Sequence, residues 1–200
     1  MLTDIALIIV AYLFGSISTA VVVSKLMGLT DPRTVGSKNP GATNVLRYGG
    51  KKAAIFTLLG DCVKGVIPVL IAKSFVSTDL SLALVGGAAF LGHLYPIFFG
   101  FKGGKGVATA LGVLVAMAWP VGAASLGVWI VMALVFKVSS LSALVASAVS
   151  PVFMWYFVDS QELLWMNIVI SILLVWRHRS NIRNLVSGAE DKISGPQKGD

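Results

Sequence analysis

The sequence predicts an all-α integral membrane protein with about seven transmembrane helices. Of its 200 residues, 56% are hydrophobic and only 12% are charged, whereas about a quarter of the residues in a typical soluble domain are charged. The mean hydropathy is +0.85. The few charged residues are clustered between apolar stretches, several of which approach the roughly 20 residues that a helix needs to cross a bilayer.

We predict the following spans in chain order: 3–26, 53–72, 80–99, 106–118, 121–136, 141–158 and 162–176. Residues 1–27 lack the basic start of a secretory signal, and Lys25 comes after the apolar run, so we interpret this run as a span. Its small residues Gly15, Ser18 and Thr19 lie on one helix face, which favours close packing against another helix.

Residues 106–136 allow two interpretations, either one long helix or two short helices broken at Trp119 and Pro120. One helix would be about 46 Å long at 1.5 Å per residue, which is too long for a bilayer without extreme tilt. It would also place the basic residues after the last span opposite those between the first two spans. Because basic residues collect in cytoplasmic loops, we favour two helices.

This arrangement places the N-terminus outside and the C-terminus in the cytoplasm, with some helices short or half-spanning. Three polar segments then gather on the cytoplasmic face: 28–52, 100–106 and 177–191. We therefore predict a single domain over residues 1–200, with its functional site formed by these three segments.

The segment Phe101 to Thr109, FKGGKGVAT, is the strongest candidate for a phosphate site. Glycines let backbone N–H groups approach an anion, a lysine adds a point charge, and a following helix adds its positive N-terminal end. Its candidate binding residues are Gly103, Gly104, Lys105 and Gly106. It is not a Walker loop, because Gly106 and Val107 stand where that motif needs a hydroxyl residue after the lysine.

A second small-residue loop, GSKNPGATN, lies within 28–52. Its neutral polar side chains offer donors and acceptors, and Arg47, three residues further on, can hold a phosphate with two parallel hydrogen bonds. The plainer interpretation is a turn-rich surface loop. The candidate residues here are Gly36, Ser37, Asn39, Gly41, Thr43, Asn44 and Arg47.

Several further polar residues lie in or beside the spans. His178 and Asn181 are three residues apart and would share a helix face. Asp61 and Lys64 are charged residues inside the second span, which makes them either functional or a structural ion pair. Two more candidates are His93, which we interpret as a packing histidine, and Ser142, which either lines the site or caps a helix.

The sequence also argues against several other sites. It contains no acidic cluster suited to a two-metal centre, no Gly-x-Ser-x-Gly motif, and no Asp five residues after His93 or His178. Cys62 lies in an apolar span, where a thiolate is disfavoured. We expect no metal and no cofactor. The net charge of +7 reflects cytoplasmic loops and anionic substrates rather than nucleic acid.

The segments GSISTAVVVSK, DPRTVGSKNPGATNVLR, LGHLYPIFFGFKGGKGVAT and RHRSNIRNLVSGAE resemble the signature regions of the bacterial acyl-phosphate:glycerol-3-phosphate acyltransferases, the PlsY family. The resemblance covers most of the chain, in order. Asn184 and Pro32 depart from the residues usual in the family at those positions.

The resemblance implies acyl transfer from acyl phosphate to the sn-1 hydroxyl of glycerol 3-phosphate, giving lysophosphatidate and inorganic phosphate without an acyl-enzyme. It implies a multi-pass protein of the bacterial cytoplasmic (inner) membrane, surrounded by membrane lipids. The site would face the cytoplasm, and the protein would be functionally coupled to an enzyme that forms acyl phosphate. Lys105, His178 and Asn181, with Ser142, would hold glycerol 3-phosphate, and Ser37, Arg47 and the backbone around Gly41 would hold the acyl-phosphate head. The two loops could exchange roles, and the general base is either His178 or the departing phosphate.

A membrane transporter of an organic phosphate is the alternative from a different functional class. The intramembrane charges Asp61 and Lys64 would then belong to a translocation path. No clear internal repeat supports it, and the polar segments lie on one face rather than at mid-bilayer.

Overall fold

The computed structural model of the chain describes residues 2–193, which form nine α-helices and one 3-10 helix and are therefore all-α, as predicted. The α-helices are α1 (Leu2–Gly15), α2 (Thr19–Leu26), α3 (Ala42–Lys73), α4 (Asp79–Leu94), α5 (Val107–Met117), α6 (Trp119–Phe136), α7 (Ser139–Phe157), α8 (Gln161–Arg177) and α9 (Arg179–Val186). The 3-10 helix is Ile97–Phe99. Four helices are long and apolar enough to cross a membrane, and a fifth span is counted if the bent pair α1 and α2 is one.

The first span is broken, so the continuous helix predicted over 3–26 is wrong. Helices α1 and α2 meet at an angle of 43°. The break leaves backbone carbonyls without helical partners, which is costly in lipid. One side chain compensates: the Lys64 ammonium donates to the Ile17 carbonyl over 2.7 Å.

Small residues bring α1 and α2 close to their neighbours. A Cβ on Gly15 would lie 2.1 Å from the Ala89 carbonyl oxygen on α4, and Thr19 packs directly over Gly60 on α3. Gly15 and Thr19 thus pack closely, as predicted, but on different neighbours, and the break between α1 and α2 means that Gly15, Ser18 and Thr19 do not form one helix face. These contacts hold α1, α3 and α4 together beside a core that includes Phe90 and Leu94.

The second polar loop is shorter than predicted, because α3 begins at Ala42 instead of near residue 53. The first two turns of α3 are separated from the rest of the helix by Gly50, whose φ of 80° interrupts the helical backbone. A left-handed φ favours glycine. Gly50 therefore allows the polar first turns of α3 to continue into the apolar span without a separate loop. Asn44 and Arg47 therefore lie on a helix rather than in a loop.

Residues 106–136 form two helices, as predicted. Ala118 is extended between α5 and α6, and Pro120 occupies the first turn of α6. The chain reverses so tightly that a Cβ on Gly122 would lie 2.7 Å from the Val115 backbone. Helix α5, with 11 residues, is too short to cross a bilayer.

Helix α4 ends at Leu94, five residues before the predicted end of that span at residue 99. The physical reason is Pro96. A residue that precedes proline is disfavoured in the helical conformation, and Tyr95 leaves it with φ −132° and ψ 67°. The end of α4 allows the glycine-rich loop to fold back under His93.

Candidate active site

One large cavity, with a volume of about 420 Å³, lies between α3, α5, α6, α7 and α8. One end of the cavity is polar and its body is apolar. We call the polar end the mouth, and it is lined by Ser37, Asn39, Gly41, Thr43, Arg47, Lys105, Ser139, Ser140, His178, Asn181, Glu190 and Asp191. Leu58 and Leu59 line the body and remain about half exposed. The cavity therefore opens sideways between helices toward the surrounding lipid.

The glycine-rich loop is fixed beneath the mouth by Arg177. The guanidinium donates to the carbonyls of Gly103 and Gly104 over 2.7 and 3.1 Å. The Gly104 N–H donates to the His93 carbonyl over 3.2 Å. These two glycines thus face Arg177 and α4, and they do not line the cavity. Of the loop's predicted residues, Lys105 and Gly106 reach the mouth.

Close packing explains why glycine is needed in this loop. A Cβ on Gly103 would lie 2.1 Å from the His93 carbonyl oxygen and 2.5 Å from that of Leu94. A Cβ on Gly104 would lie 2.3 Å from His93 Nε2. Gly106 has a left-handed φ of 89° and packs against the ring of Phe90.

We expect Gly103→Ala to lower the free energy of unfolding by about 1–3 kcal/mol, because the added methyl group meets rigid backbone. The melting temperature in detergent, followed by circular dichroism, measures this effect. The matched control is Gly127→Ala on α6, where an added Cβ meets nothing within 4 Å. Equal melting temperatures for the two variants would contradict the packing role of Gly103.

Lys105 is the central cation of the mouth. Its ammonium donates a short hydrogen bond to the Asn181 side-chain oxygen. Burial lowers the pKa of Lys105 to about 8, with the positive charges of Arg177 and Arg47 acting in the same direction and the Glu190 carboxylate opposing it. The lysine is thus protonated at neutral pH, although its pKa lies closer to neutral pH than that of an exposed lysine.

His178 follows the last residue of α8 and is buried beside the mouth. Its Nδ1 lies 2.8 Å from the Leu174 carbonyl oxygen. A carbonyl only accepts hydrogen bonds, so Nδ1 carries the proton and Nε2 keeps a lone pair. Burial lowers the pKa of His178 to about 4, helped by the positive charges of Lys105 and Arg177 and opposed by the Leu174 hydrogen bond and the Glu190 carboxylate. The imidazole is therefore neutral at physiological pH and can accept a hydrogen bond through Nε2.

Asn44 organises the second loop. Its amide oxygen accepts from the Ser37 N–H over 3.0 Å, and its amide nitrogen donates to the carbonyls of Pro32 and Val35 over 3.0 and 3.2 Å. The loop is therefore folded over the start of α3, with Ser37 at the mouth. Thr43 joins the wall of the mouth through its hydroxyl, which lies 3.1 Å from that of Ser139 on α7.

The segment after α9 closes part of the mouth with two acidic side chains. Asp191 pairs with Arg47 at 3.1 Å. Glu190 accepts from the Ser140 hydroxyl and from the Asn181 amide, each over 2.6 Å. The Arg47 Nε–H is buried and has no hydrogen-bond partner within residues 2–193. The Asp191 and Glu190 carboxylates are thus bonded to Arg47 and Asn181, a basic and an amide group that could instead bind a phosphate.

Three helices begin at the mouth, which makes its potential more positive. Gly41 precedes α3, Gly106 precedes α5, and Val138 precedes α7. Each helix N-terminus carries unpaired N–H groups and about half a positive charge. Together with Arg47 and Lys105, these ends favour an anionic ligand, and phosphate is the typical one.

A buried charged cluster lies behind the glycine-rich loop. Asp61 and Lys64 are 2.9 Å apart, and both side chains are 4% exposed. His93 Nδ1 lies 3.5 Å from the Asp61 carboxylate and 3.2 Å from the Thr109 hydroxyl, which donates to the Asp61 carbonyl. Lys64 also bonds the Ile17 carbonyl, as described above. Lys64 therefore has a structural role in this pair, whereas Asp61 and His93 line the cavity.

A family model described as glycerol-3-phosphate acyltransferase matches residues 5–188 of this chain. The chain belongs to the glycerol-3-phosphate acyltransferase family. It is 58% identical over 183 residues to a glycerol-3-phosphate acyltransferase of Methylococcus capsulatus, with 92% of each chain covered. Its identity to that of Hydrogenovibrio crunogenus is 52% over 185 residues, covering 92% of this chain and 88% of the relative.

Two crystal structures of PlsY (YgiH), an integral membrane glycerol 3-phosphate acyltransferase, have the same fold. The glycerol 3-phosphate form is 45% identical, with a TM-score of 0.91 and 95% of each chain covered. The lysophosphatidic acid form is 43% identical, with a TM-score of 0.90, covering 97% of this chain and 96% of the other. This member of the acyltransferase family is therefore a multi-pass membrane protein of the PlsY group.

In this acyltransferase family member, the structure brings most of the predicted site residues to one cavity. The five predicted catalytic residues all line it: Ser37, Arg47, Lys105, His178 and Asn181. Of the other predicted residues, Gly36, Gly103, Gly104, Lys64 and Ser142 do not. The Ser142 hydroxyl donates to the Val138 carbonyl over 2.8 Å, so it bonds within its own helix.

The candidate residues named from the sequence did not include Arg177, Glu190 and Asp191, although all three lie in the predicted polar segment 177–191. Arg177 resembles the basic residues that commonly end a transmembrane helix. The acidic pair offered one usable signal, since two adjacent carboxylates in an otherwise basic segment indicate nearby cations. Within residues 2–193, no group of three or more His, Cys, Asp or Glu side chains could hold a metal ion.

Proposed function

We propose that this chain transfers a fatty acyl group from acyl phosphate to the sn-1 hydroxyl of glycerol 3-phosphate. The products are 1-acyl-sn-glycerol 3-phosphate and inorganic phosphate. The observation that carries the proposal is the combination of a cationic mouth with an apolar cavity that opens toward lipid. Such a site suits one water-soluble phosphate and one phosphate that bears a long acyl chain. The family membership and the PlsY forms with glycerol 3-phosphate and lysophosphatidic acid support it.

Lys105, Asn181 and His178 hold glycerol 3-phosphate in this proposal. The ammonium and the amide bind its phosphate, after Asn181 exchanges its bond to Glu190 for one to the ligand. His178 Nε2 accepts a hydrogen bond from the attacking hydroxyl and orients it. Ser142 takes no part, because its hydroxyl is bonded within α7.

Ser37, Arg47 and the N-terminus of α3 near Gly41 hold the head of the acyl phosphate. The hydroxyl oxygen of glycerol attacks the acyl carbon, and the bond between that carbon and the bridging phosphate oxygen breaks. The departing phosphate takes the proton, because a histidine whose pKa is about 4 holds it poorly at neutral pH. Catalysis then comes from positioning and charge stabilisation.

We propose that seven segments cross or partly cross the bacterial cytoplasmic membrane, with the N-terminus outside and the mouth facing the cytoplasm. The basic residues that follow α2 and α8 lie on the same side as the mouth, consistent with the positive-inside rule. The donor would come from an enzyme that forms acyl phosphate. The transporter alternative relied on Asp61 and Lys64, but these side chains are paired with each other and with backbone.

The direct test is the reaction of purified protein in detergent with palmitoyl phosphate and glycerol 3-phosphate, with palmitoyl-CoA in parallel. We expect phosphate and lysophosphatidate with the acyl phosphate alone. Product with palmitoyl-CoA alone would overturn the choice of donor. No product with either donor, from folded protein, would overturn the acyltransferase proposal and favour uptake of labelled glycerol 3-phosphate into sealed vesicles.

The pH dependence of kcat/KM reports groups of the free enzyme. The positive charge on Lys105 is present below its pKa and lost as the pH rises through about 8. We therefore expect kcat/KM to fall from pH 8 upward, whereas an ordinary lysine would sustain it to about pH 10. Lys105→Arg, if active, should lack this fall. A profile that stays flat to pH 10 in the unchanged enzyme would contradict the assignment.

Asp191 competes with substrate phosphate for Arg47. Replacing it by Asn removes the competing charge, so we expect the KM of the phosphate bound by Arg47 to fall by up to about fivefold, the usual range for a partly exposed ion pair. Steady-state kinetics with each substrate varied in turn measures the effect. A KM that rises would show that Asp191 helps binding. Asp159→Asn, remote in the sequence between α7 and α8, is the control.

A further inference from the structure

A group of polar side chains lines the body of the cavity well away from the mouth. Ser125 and Trp129 come from α6, Ser147 and Ser150 from α7, and Asn167 and Ser171 from α8, and all six line the cavity. We call them the deep polar cluster. Asn167 lies ten residues before the end of α8, which places it about 15 Å from the cytoplasmic end of that helix. These groups are therefore at hydrocarbon depth.

Part of the deep polar cluster is internally bonded. The Ser171 hydroxyl donates to the Ser147 carbonyl over 2.8 Å, and the Ser150 hydroxyl lies 3.1 Å from the Asn167 side-chain oxygen. These bonds join α7 to α8 and fix the Asn167 side chain, which is fully buried. The cluster is thus an ordered polar surface rather than a set of loosely placed hydroxyls.

Three polar atoms of the cluster have no hydrogen-bond partner among the described residues. They are Asn167 Nδ2, Trp129 Nε1 and Ser125 Oγ, and each is buried. The amide and indole nitrogens can only donate. A buried donor that lacks a partner is costly, and more so where no bulk water can reach it. All three atoms belong to residues that line the same cavity, so an oxygen acceptor beside any one of them would satisfy that donor.

We propose that the deep polar cluster forms the far wall of the acyl-chain site and limits the length of chain that the enzyme accepts. This inference rests on the proposed function. The body of the cavity above the cluster is apolar and suits methylene groups. A saturated chain offers no acceptor, so a chain whose terminal methyl reaches the cluster covers the unpaired donors without satisfying them. Shorter chains leave these donors uncovered.

The same geometry makes a second expectation about chain chemistry. A chain that ends in a hydroxyl group can supply the oxygen that these donors lack. For chains long enough to reach the cluster, the enzyme should therefore favour an ω-hydroxyacyl phosphate over the methyl-terminated chain of equal length. The ligand class is a fatty acyl chain of limited length, or a longer chain with a terminal oxygen.

The test measures kcat/KM for dodecanoyl, tetradecanoyl, hexadecanoyl and octadecanoyl phosphates and for their ω-hydroxy forms. The variants are Asn167→Leu, which replaces the amide by an apolar group of similar size, and Trp129→Phe, which removes the indole N–H. We expect each variant to raise the ratio of octadecanoyl to dodecanoyl activity by roughly tenfold, the equivalent of relieving one unpaired buried donor. We also expect each variant to lose the preference for the ω-hydroxy form.

The matched control is Thr57→Val on α3. The Thr57 hydroxyl is also buried and has no hydrogen-bond partner within residues 2–193, but Thr57 does not line the cavity. Its chain-length profile should equal that of the unchanged enzyme. Profiles of Asn167→Leu and Trp129→Phe that match the control would overturn the inference, as would an equal shift in all three variants.

Failure of this inference is distinguishable from failure of the proposed function. If the unchanged enzyme transfers no acyl group from any acyl phosphate, the proposed function itself fails. If it transfers acyl groups but the ratio is insensitive to the cluster variants, only the length-limiting role fails. Trp129→Phe keeps the test decisive if Asn167→Leu does not fold. It removes the indole N–H and also leaves more space, and loss of the preference for the ω-hydroxy form separates the first effect from the second.

Discussion

Lys105→Ala should lower kcat/KM by at least about a hundredfold, the usual loss when a donor to developing charge is removed. Lys105 is the one lysine that lines the described cavity, and it holds Asn181 in place through a direct hydrogen bond. Its removal leaves Arg47 as the remaining cationic side chain in the lining, and leaves Asn181 held by Glu190 without a donor to its side-chain oxygen. Release of inorganic phosphate from palmitoyl phosphate and glycerol 3-phosphate measures the loss.

Lys102→Ala is the matched control for this experiment. Lys102 lies three residues earlier in the same glycine-rich loop, but its side chain is exposed and does not line the cavity. It should retain nearly full activity. If Lys105→Ala has the same melting temperature as the unchanged protein and also retains activity, Lys105 does not stabilise charge in the reaction.

Lys64→Met should lower the free energy of unfolding by about 3–5 kcal/mol, the usual cost of leaving one member of a buried ion pair without its partner. Asp61 would remain as a buried carboxylate whose other neighbour is a buried histidine. The Ile17 carbonyl at the break between α1 and α2 would also lose its donor. Unfolding in detergent, followed by circular dichroism, measures the change.

The chain provides a close control for Lys64 on the same helix. Lys73 also donates to a backbone carbonyl, that of Met117 over 2.9 Å, but its side chain is exposed. Lys73→Met should therefore cost much less. The double variant Asp61→Asn with Lys64→Met should be less destabilised than the sum of the two single changes, because the pair is coupled. Additive losses would show that the ion pair itself contributes little.

The sequence predicted the class of fold and the polar face because both depend on composition. Long apolar stretches and clustered basic residues determine where a chain enters and leaves a bilayer. The reversal at Ala118 was also predictable, since length and charge excluded a single helix. The break at residues 16–18 was not predictable, because no proline marks it and its compensation comes from Lys64, 47 residues further along the chain.

The candidate site was predicted well where residue type alone suggests a role. Glycine, lysine and arginine indicate phosphate binding, and all five predicted catalytic residues reach the cavity. The sequence did not indicate which residues of the glycine-rich loop line the cavity and which serve packing. Gly103 and Gly104 serve close packing and bind Arg177 through their carbonyls, a contact between residues more than 70 positions apart. The roles of Glu190 and Asp191 depend likewise on where the chain returns after α9.

The acidic segment that follows α9 has a consequence for protein synthesis. Glu190 and Asp191 complete the wall of the mouth, and the Ile193 N–H donates to the Lys137 carbonyl over 2.8 Å. A nascent chain therefore cannot assemble the whole mouth until the residues after the last membrane helix have left the ribosome. A chain stalled during translation, with its helices already inserted, would lack these contacts, so the mouth becomes complete only after the residues that follow α9 have emerged.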